Sequence, residues 1–421
     1  ATLPERLSAD AIEEPVINSR YKGSIMQHPQ TLSLPEPDAL SQEHSNKVAT
    51  WIRERIADAG GEISFAEYMQ HCLYAPGLGY YSAGSTKFGE AGDFVTAPEV
   101  SSVFGAVLAR QCADALAQVS SPAILEIGAG SGKLAVDLLR SLNDTGSVPE
   151  GGYQVLEVSP DLRARQEQRL HDELPDLADR VTWLDQLPQD FSGVVIANEV
   201  LDALPVERFV RRESGVRQVC VTVDGDGFAL LERDAPDALR KAVEKIETSL
   251  GYELAPGYAS EVCLAASHWI ADIATSLQHG LAFLFDYGIG RREYYAGERS
   301  GGWLRCHFRH HAHDNPLILP GIQDITSWVD FTTVADAALD NGLEVAGFAA
   351  QAQFLIGGGL DQVLANFAEL PTEAQLRMSA EIKLLTLPAE MGENFKCLGL
   401  ARGDIATPDG FLLADRTTSL G

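Results

Sequence analysis

A glycine-rich turn between a short apolar strand and a helix constrains the fold of this chain more than any other segment. The turn lies in residues 123–134, which read Ala-Ile-Leu-Glu-Ile-Gly-Ala-Gly-Ser-Gly-Lys-Leu. Ile124, Leu125 and Ile127 form the apolar run that is typical of a central parallel strand, and residues 134–140 continue with helical spacing. This unit predicts an open α/β sheet, in which ligands bind at the carboxyl ends of the strands.

The spacing of the glycines indicates which ligand the turn holds. A dinucleotide-binding turn has the pattern G-x-G-x-x-G, which would require glycine at position 133, where this chain has Lys133. A carboxylate and three glycines instead occupy alternate positions: Glu126, Gly128, Gly130 and Gly132. S-adenosylmethionine would place its ammonium group near Glu126 and its carboxylate at the free N–H groups of the helix. The motif therefore favours S-adenosylmethionine, and dinucleotide binding and an ordinary tight turn remain the alternatives.

A second carboxylate follows the next predicted strand, in residues 153–160. Because neighbouring parallel strands end over the same crevice, we expect Glu157 to accept hydrogen bonds from both ribose hydroxyls of the cofactor. The alternative role of Glu157 is to cap the helix that begins at Pro160. The third predicted strand, residues 181–185, would bring Asp185 or a neighbour near the adenine.

Polar residues also follow the fourth predicted strand, residues 193–198. Asn198 ends this strand at the edge where the cofactor would lie, and Glu199 and Asp202 come directly after it. A carboxylate here can orient an acceptor nitrogen and later take its proton, whereas the alternative is a helix N-terminus with its usual acidic residues. We favour the catalytic interpretation because polar residues that end a buried strand are costly unless they are used.

A loop rich in glycine and aromatic residues, residues 74–98, precedes the helix that leads to the first strand. Loops of this composition often bind ligands. We expect Gly92, Asp93 and Thr96 to line the methionine end of the cofactor, and a plain surface turn stabilised by Asp93 is the alternative.

The remaining segments are predicted as helices and insertions around the sheet. One helix begins at Ser41 and another begins with a capping box at Ser64–Glu67, and we expect both to pack over the sheet. Residues 209–232 alternate in two runs and predict a β-hairpin, which a helix at 235–250 follows. Later segments supply the fifth strand at 280–288 and an antiparallel sixth and seventh pair at 343–354 and 395–401, with helices at 361–383.

Residues 289–330 predict a long functional loop, because they show no strong periodicity and are rich in Arg, Tyr and His. Four histidines lie within seven residues: His307, His310, His311 and His313. A metal site is disfavoured, since adjacent histidines cannot easily reach one ion. We instead expect these histidines to hydrogen-bond to substrate or to the loop backbone.

The composition restricts the classes of partner and the compartment that we expect for this protein. The net charge of −28 argues against nucleic acid and anionic membranes and favours a cationic substrate or simple solubility. The six cysteines include no C-x-x-C pair, which fits a reducing compartment, and no apolar run reaches the roughly 18 residues of a spanning helix. The acidic N-terminal segment is unlike a mitochondrial transit peptide, so we expect a cytoplasmic protein, with the mitochondrial matrix as the alternative.

Several stretches together resemble the MidA-like family, the methyltransferase relatives of the mitochondrial complex I assembly factor that methylates arginine. The matching stretches are residues 68–81, 92–99, 125–132, 156–160, 198–205, 304–307 and 323–326. The resemblance implies a class I methyltransferase, an α/β fold with a Rossmann-like seven-stranded sheet, N-terminal helices and inserted substrate-binding elements. It also implies S-adenosylmethionine as the methyl donor and a protein client as the acceptor.

An arginine acceptor assigns roles to the acidic residues. A guanidinium is always protonated, so carboxylates must hold it and localise its charge on the far nitrogens. Glu199 and Asp202 are our first candidates for this role, and Asp93 and His307 are the second. A cofactor-binding assembly chaperone and an NAD-dependent oxidoreductase are the rival functions.

The predicted organisation has five parts, and the oligomeric state stays open. They are an extension or disordered segment at 1–40, a helical region at 41–90, a cofactor-binding core at 91–208, a hairpin and helical insertion at 209–279, and the rest of the core with its substrate loop at 280–421.

Overall fold

A computed structural model of the chain describes residues 34–83 and 96–421. Gly92 and Asp93 therefore lie outside the described residues. The strands are β1 Glu62–Ser64, β2 Ala123–Ile127, β3 Tyr153–Leu156, β4 Val181–Leu184, β5 Phe191–Asn198, β6 Glu207–Arg212, β7 Gly215–Asp224, β8 Gly227–Asp234, β9 Ala259–Val262, β10 Leu277–Ile289, β11 Leu304–Phe308, β12 His311–His313, β13 Asp324–Ser327, β14 Val329–Asp330, β15 Glu344–Ala350 and β16 Phe395–Arg402. The α-helices are α1 Ala39–Asp58, α2 Phe65–Tyr74, α3 Ala97–Val100, α4 Ser102–Leu116, α5 Lys133–Asp144, α6 Pro160–Glu173, α7 Asp237–Leu250, α8 Leu264–Ser276, α9 Arg291–Tyr294, α10 Phe331–Asp340, α11 Gln351–Gly357, α12 Leu360–Val363, α13 Thr372–Thr386, α14 Met391–Asn394 and α15 Asp409–Leu412.

The central sheet has the strand order β4-β3-β2-β5-β10-β16-β15. The first five strands of this order are parallel, and β16 runs antiparallel to both of its neighbours. The short β14 extends the sheet beside the end of β10. This is the seven-stranded class I arrangement that the sequence predicts, so the predicted fold class is confirmed.

One strand is shorter than predicted. The segment 343–354 forms β15 only as far as Ala350, and α11 begins at Gln351. The residues that follow are Gln-Ala-Gln-Phe-Leu-Ile, most of which are good helix formers, and their apolar members pack in the core from a helix as readily as from a strand.

Helices cover both faces of the central sheet. On one face α4, α5 and α11 bury a cluster that includes Phe104, Leu138 and Phe283. On the other face α8 and α10 bury Ile270 and Val334 against apolar residues of β2, β5 and β10. Because both faces are covered, the polar groups at the ends of the strands meet at the carboxyl edge of the sheet.

A second sheet is built from the insertion. Its order is β1-β7-β6-β9, with β8 paired to β7. The predicted hairpin with its turn at Gly225 and Asp226 is confirmed as β7 and β8, but the first predicted run also contains the end of a separate strand, β6.

The N-terminal helices do not pack over the central sheet, so that expectation is wrong. Residues of α1 and α2 instead share an apolar cluster with Val221 of β7, Cys306 of β11 and Ile325 of β13. The reason is the three-residue strand β1, which lies between the two helices and pairs with β7. Its pairing fixes both helices on the inserted sheet.

The segment 289–330 is more ordered than a loop. It contains the antiparallel sheet β12-β11-β13, whose strands have only three to five residues. Strands this short leave little alternation for a sequence pattern to detect. Ser327 of β13 donates its N–H to the carbonyl of Asp202 at 3.0 Å, so this small sheet reaches the carboxyl edge of the central sheet.

Within the described residues, none of the helices combines the length and apolar character needed to cross a bilayer.

Candidate active site

The glycine turn has the backbone conformation that its sequence requires. Gly128, Gly130 and Gly132 have φ values of +70°, +53° and +78°, a region that other residues rarely adopt. A Cβ added at Gly132 would come within 3.2 Å of Gln166, whereas a Cβ at Gly130 would meet no atom within 4 Å. The turn therefore leaves open space in front of Gly130, where a ligand can approach the backbone.

Gln166 ties the glycine turn to the two strands beside it. Its Nε2 donates to the carbonyl of Gly130 at 2.8 Å and to Oε2 of Glu157 at 3.0 Å, and its Oε1 accepts from the indole of Trp183 at 2.9 Å. Sequence reasoning missed Gln166 because it lies in the middle of α6, where a polar residue usually faces solvent. Here the side chain is fully buried.

Glu157 stands beside the glycine turn as predicted. Its Oε1 accepts the N–H of Ser159 at 2.9 Å, and burial raises the pKa of the carboxyl. Each carboxylate oxygen has two lone pairs, so the contacts with Ser159 and Gln166 leave capacity for further donors such as ribose hydroxyls.

Glu126 lies under the glycine turn. Its Oε2 accepts a hydrogen bond from the hydroxyl of Tyr153 at 2.8 Å, and burial, assisted by the charge of Glu157, raises the pKa of Glu126 to about 7. Asp185 follows β4, where its side chain is exposed and pairs with Arg163 at 3.2 Å. Thr96 precedes α3 at the start of the second described segment. The predicted contacts of these residues with the cofactor stay predictions.

Four carboxylates gather near the carboxyl ends of β5 and β10, and we call them the acidic cluster: Glu199, Asp202, Asp286 and Asp324. Glu199 has a φ of +53°, and its carboxylate accepts hydrogen bonds from Asn198 Nδ2 at 3.2 Å and from the N–H of Ala97. Burial, followed by the nearby charge of Asp202, raises the pKa of Glu199 to about 8.

The two carboxylate oxygens of Asp202 have different surroundings. The Tyr287 hydroxyl donates to its Oδ2, whereas its Oδ1 is buried and has no hydrogen-bond partner among the described residues. Burial raises the pKa of Asp202 to about 6. Neither Glu199 nor Asp202 forms an ion pair with a residue that the structure describes.

Sequence reasoning missed Asp286 and Asp324. Asp286 Oδ2 accepts the N–H groups of Leu201 and Asp202 at 3.0 and 3.1 Å, and burial, followed by the Asp202 charge, raises its pKa well above the usual range. Asp324 accepts from the hydroxyl of Tyr81 at 3.0 Å. The signal for Asp286 was present, since a carboxylate follows the apolar run at 281–285 as Glu126 follows Ile124 and Leu125.

His307 lies on β11 opposite Asp324 of β13. Burial, with the charge of Arg305, lowers the pKa of His307, so its imidazole is neutral at pH 7. In the part of the chain that the structure describes, no three His, Cys, Asp or Glu side chains are grouped so that they could hold a metal ion.

Comparison with known proteins assigns this chain to a family. Residues 107–349 match the model of a protein family described as "Putative S-adenosyl-L-methionine-dependent methyltransferase", and this match spans more than half of the chain. The chain belongs to the MidA-like methyltransferase family. The resemblance inferred from the sequence motifs is thereby confirmed.

Relatives of this methyltransferase align over most of its length. The Drosophila melanogaster protein named "Protein arginine methyltransferase NDUFAF7 homolog, mitochondrial" is 30% identical, over 88% of this chain and 89% of the relative. Its Danio rerio counterpart is 31% identical, over 80% and 83%. A crystal structure from Burkholderia thailandensis, bound to S-adenosyl-homocysteine, is 38% identical with a TM-score of 0.85, and the match covers 92% of this chain and all of the other.

Membership of this methyltransferase family confirms two predictions. The chain is an S-adenosylmethionine-dependent methyltransferase, and S-adenosylmethionine is its cofactor. The residues present fit S-adenosylmethionine. The space in front of Gly130 lets a ligand approach the backbone of the turn, and Glu157 keeps lone pairs that can accept from the ribose hydroxyls.

Proposed function

We propose that this MidA-like methyltransferase methylates an arginine side chain of a protein substrate. The observation that carries the proposal is Asp202, whose Oδ1 is buried and has no partner among the described residues. A buried acceptor without a partner is costly, and a guanidinium supplies charged N–H donors that would satisfy it. The relatives that align over most of this chain are named protein arginine methyltransferases, which supports arginine as the acceptor.

The acidic cluster suits a guanidinium better than an amine. A guanidinium is planar and presents several N–H groups, so separate carboxylates can bind its different edges. Asp202 would bind one edge through Oδ1, and Glu199 would bind a second through the lone pairs that Asn198 and Ala97 do not use. Asp286 holds the backbone of residues 201 and 202 and thereby orients Asp202.

When bound, S-adenosylmethionine supplies an electrophilic methyl group on its sulfonium. The acceptor nitrogen forms a bond to this methyl carbon as the sulfur–carbon bond breaks, and alignment of the two accounts for most of the rate. Carboxylates on the other guanidinium nitrogens draw the positive charge away from the attacking nitrogen. That nitrogen then releases a proton, and Glu199, with its pKa of about 8, is matched to receive it.

Two further residues stay as second candidates for catalysis. Asp93 lies outside the described residues. His307 is neutral and half-buried on the small sheet, where it could contact the substrate backbone. The predicted absence of nucleic-acid and membrane partners also stays a prediction.

The client and the compartment belong to this proposal. The family resemblance makes a respiratory complex I subunit the first candidate client. The curated relatives are mitochondrial proteins, which supports the mitochondrial matrix over the cytoplasm. The search for methylarginine should therefore begin with proteins of the mitochondrial matrix.

The experiment has two stages that separate cofactor binding from transfer. Calorimetric titration with S-adenosylmethionine, S-adenosylhomocysteine and NAD should show binding of the first two alone. The protein is then incubated with tritiated S-adenosylmethionine and a mitochondrial extract, and the labelled protein is hydrolysed to identify the methylated amino acid. We expect methylarginine with wild-type protein and none with Glu199→Ala, which should still bind S-adenosylhomocysteine.

Two results would contradict the proposal. Label in an amino acid other than arginine would refute the acceptor. If neither the wild-type protein nor Glu199→Ala gives a labelled product, and Glu199→Ala still replaces the wild-type protein in cells, the result would instead support a cofactor-binding chaperone.

A further inference from the structure

A groove of about 480 Å³ lies at the carboxyl edge of the central sheet, where β10 and β16 adjoin. We call it the basic groove, because four of the six charged side chains that line it are Arg292, Arg299, Lys396 and Arg416, against Glu293 and Glu393. The chain as a whole has a net charge of −28. The groove thus has the opposite charge balance to the rest of the molecule.

Two of these cations are available to a ligand. Arg292 and Arg299 are exposed, and neither forms an ion pair with any residue that the structure describes. Arg299 lies over the ring of Trp303, with 4.4 Å from its guanidinium carbon to the ring centroid, so the groove holds this cation in place. Arg416 is instead occupied, since it donates to both oxygens of Glu393.

Two aromatic side chains in series, Trp328 and Tyr287, connect the groove to Asp202 of the acidic cluster. Trp328 lines the groove, and its ring centroid is 6.2 Å from that of Tyr287. Tyr287 in turn donates its hydroxyl proton to Asp202. An extended peptide rises about 3.3 Å per residue, so two to four residues span roughly 7–13 Å, which is the scale of this chain of contacts from Asp202 through Tyr287 to Trp328.

We propose that the basic groove binds an acidic side chain of the protein substrate, two to four residues from the arginine that is methylated. This inference rests on the proposed arginine methylation and adds a rule for choosing the substrate. An acidic peptide is repelled by most of this acidic surface, and the groove offers it charges of the opposite sign close to the reaction site. The groove therefore explains how one chain accepts a cationic side chain and an acidic neighbour together.

Two synthetic peptides test the rule. Each has 13 residues with one central arginine, and they carry Glu or Gln at the third positions on both sides. We expect the Glu peptide to have a KM about tenfold lower than the Gln peptide, with similar kcat, because two exposed charge contacts add modest binding. The variant Arg292→Glu/Arg299→Glu should abolish this preference. The control Lys241→Glu/Lys383→Glu changes the net charge equally at exposed positions on α7 and α13 and should keep it.

A binding measurement separates failure of this inference from failure of the proposed function. Fluorescence anisotropy of the same labelled peptides, with S-adenosylhomocysteine present, reports the preference even if no peptide is methylated. Preference for the Glu peptide that only Arg292→Glu/Arg299→Glu removes supports the groove. Equal binding of the two peptides, or a preference that both double variants alter equally, overturns it.

Discussion

Tyr287 donates a hydrogen bond to one oxygen of Asp202, while the other oxygen is buried and has no partner among the described residues. The first oxygen is fixed by Tyr287, and in the proposed function the second oxygen binds the guanidinium of the substrate. An unsatisfied buried acceptor costs about 1–3 kcal/mol, and a charged donor from the substrate would remove that cost. If the proposed function is right, Tyr287 and Asp286 orient Asp202 before the substrate binds.

Asp202→Asn should reduce kcat/KM for an arginine peptide by about 100-fold, because the amide keeps the shape of the side chain but loses the charge that holds the guanidinium. Affinity for S-adenosylhomocysteine, measured by calorimetry, should stay unchanged. The exposed Asp272→Asn on α8 serves as the control. Full activity of Asp202→Asn would show that Asp202 has no part in holding the acceptor.

Activity should rise with pH between about 6 and 8, the pKa values of Asp202 and Glu199. Both groups bind the guanidinium only when they are ionised, and burial shifts their ionisation to higher pH. The pH profile of kcat/KM should therefore have two ascending steps in the wild-type protein. Glu199→Gln should have lower activity and lose the upper step, whereas an unchanged profile would assign that step to another group.

The same buried proton affects stability. The pKa of Glu199 rises from an ordinary 4.5 to about 8 on folding, so the folded chain holds the proton more tightly than the unfolded chain. The resulting stabilisation is complete below about 4.5 and is lost as the pH rises towards 8. Glu199→Gln should thus gain thermal stability relative to wild type between pH 5 and pH 8, as measured by calorimetry. Glu373→Gln, on the exposed side of α13, should show no such change.

The positions of residues that directly follow strands could be predicted from the local sequence. Contacts between residues that are far apart in the sequence could not. Gly130 and Glu157 were found because a buried strand and a turn signal lie within a few positions of each other. Asp286 directly follows a buried apolar run of β10 and could have been predicted from the same kind of pattern. Tyr81 and Asp324 are 243 residues apart, and no local pattern relates them.

Gly130→Ala should weaken binding of S-adenosylhomocysteine by at least about tenfold, because its methyl group would occupy the open space in front of the turn. Gly146→Ala is a matched control. Gly146 has a φ of +65°, and a Cβ there would also meet nothing within 4 Å, so both variants carry similar backbone strain. Equal affinity in the two variants would show that the space at Gly130 is not the ligand's.

Gln166→Met should weaken binding of S-adenosylhomocysteine by about tenfold, because it frees Glu157 and the Gly130 carbonyl from the side chain that aligns them. It also leaves the indole N–H of Trp183 without its acceptor, which should destabilise the fold by about 1–3 kcal/mol. Calorimetry measures the first effect and urea unfolding the second. Gln168→Met, on the exposed side of the same helix, loses only a contact with Asp172 and should change neither. If Gln166→Met loses stability but keeps its affinity, Gln166 supports the fold and does not position Glu157 for the cofactor.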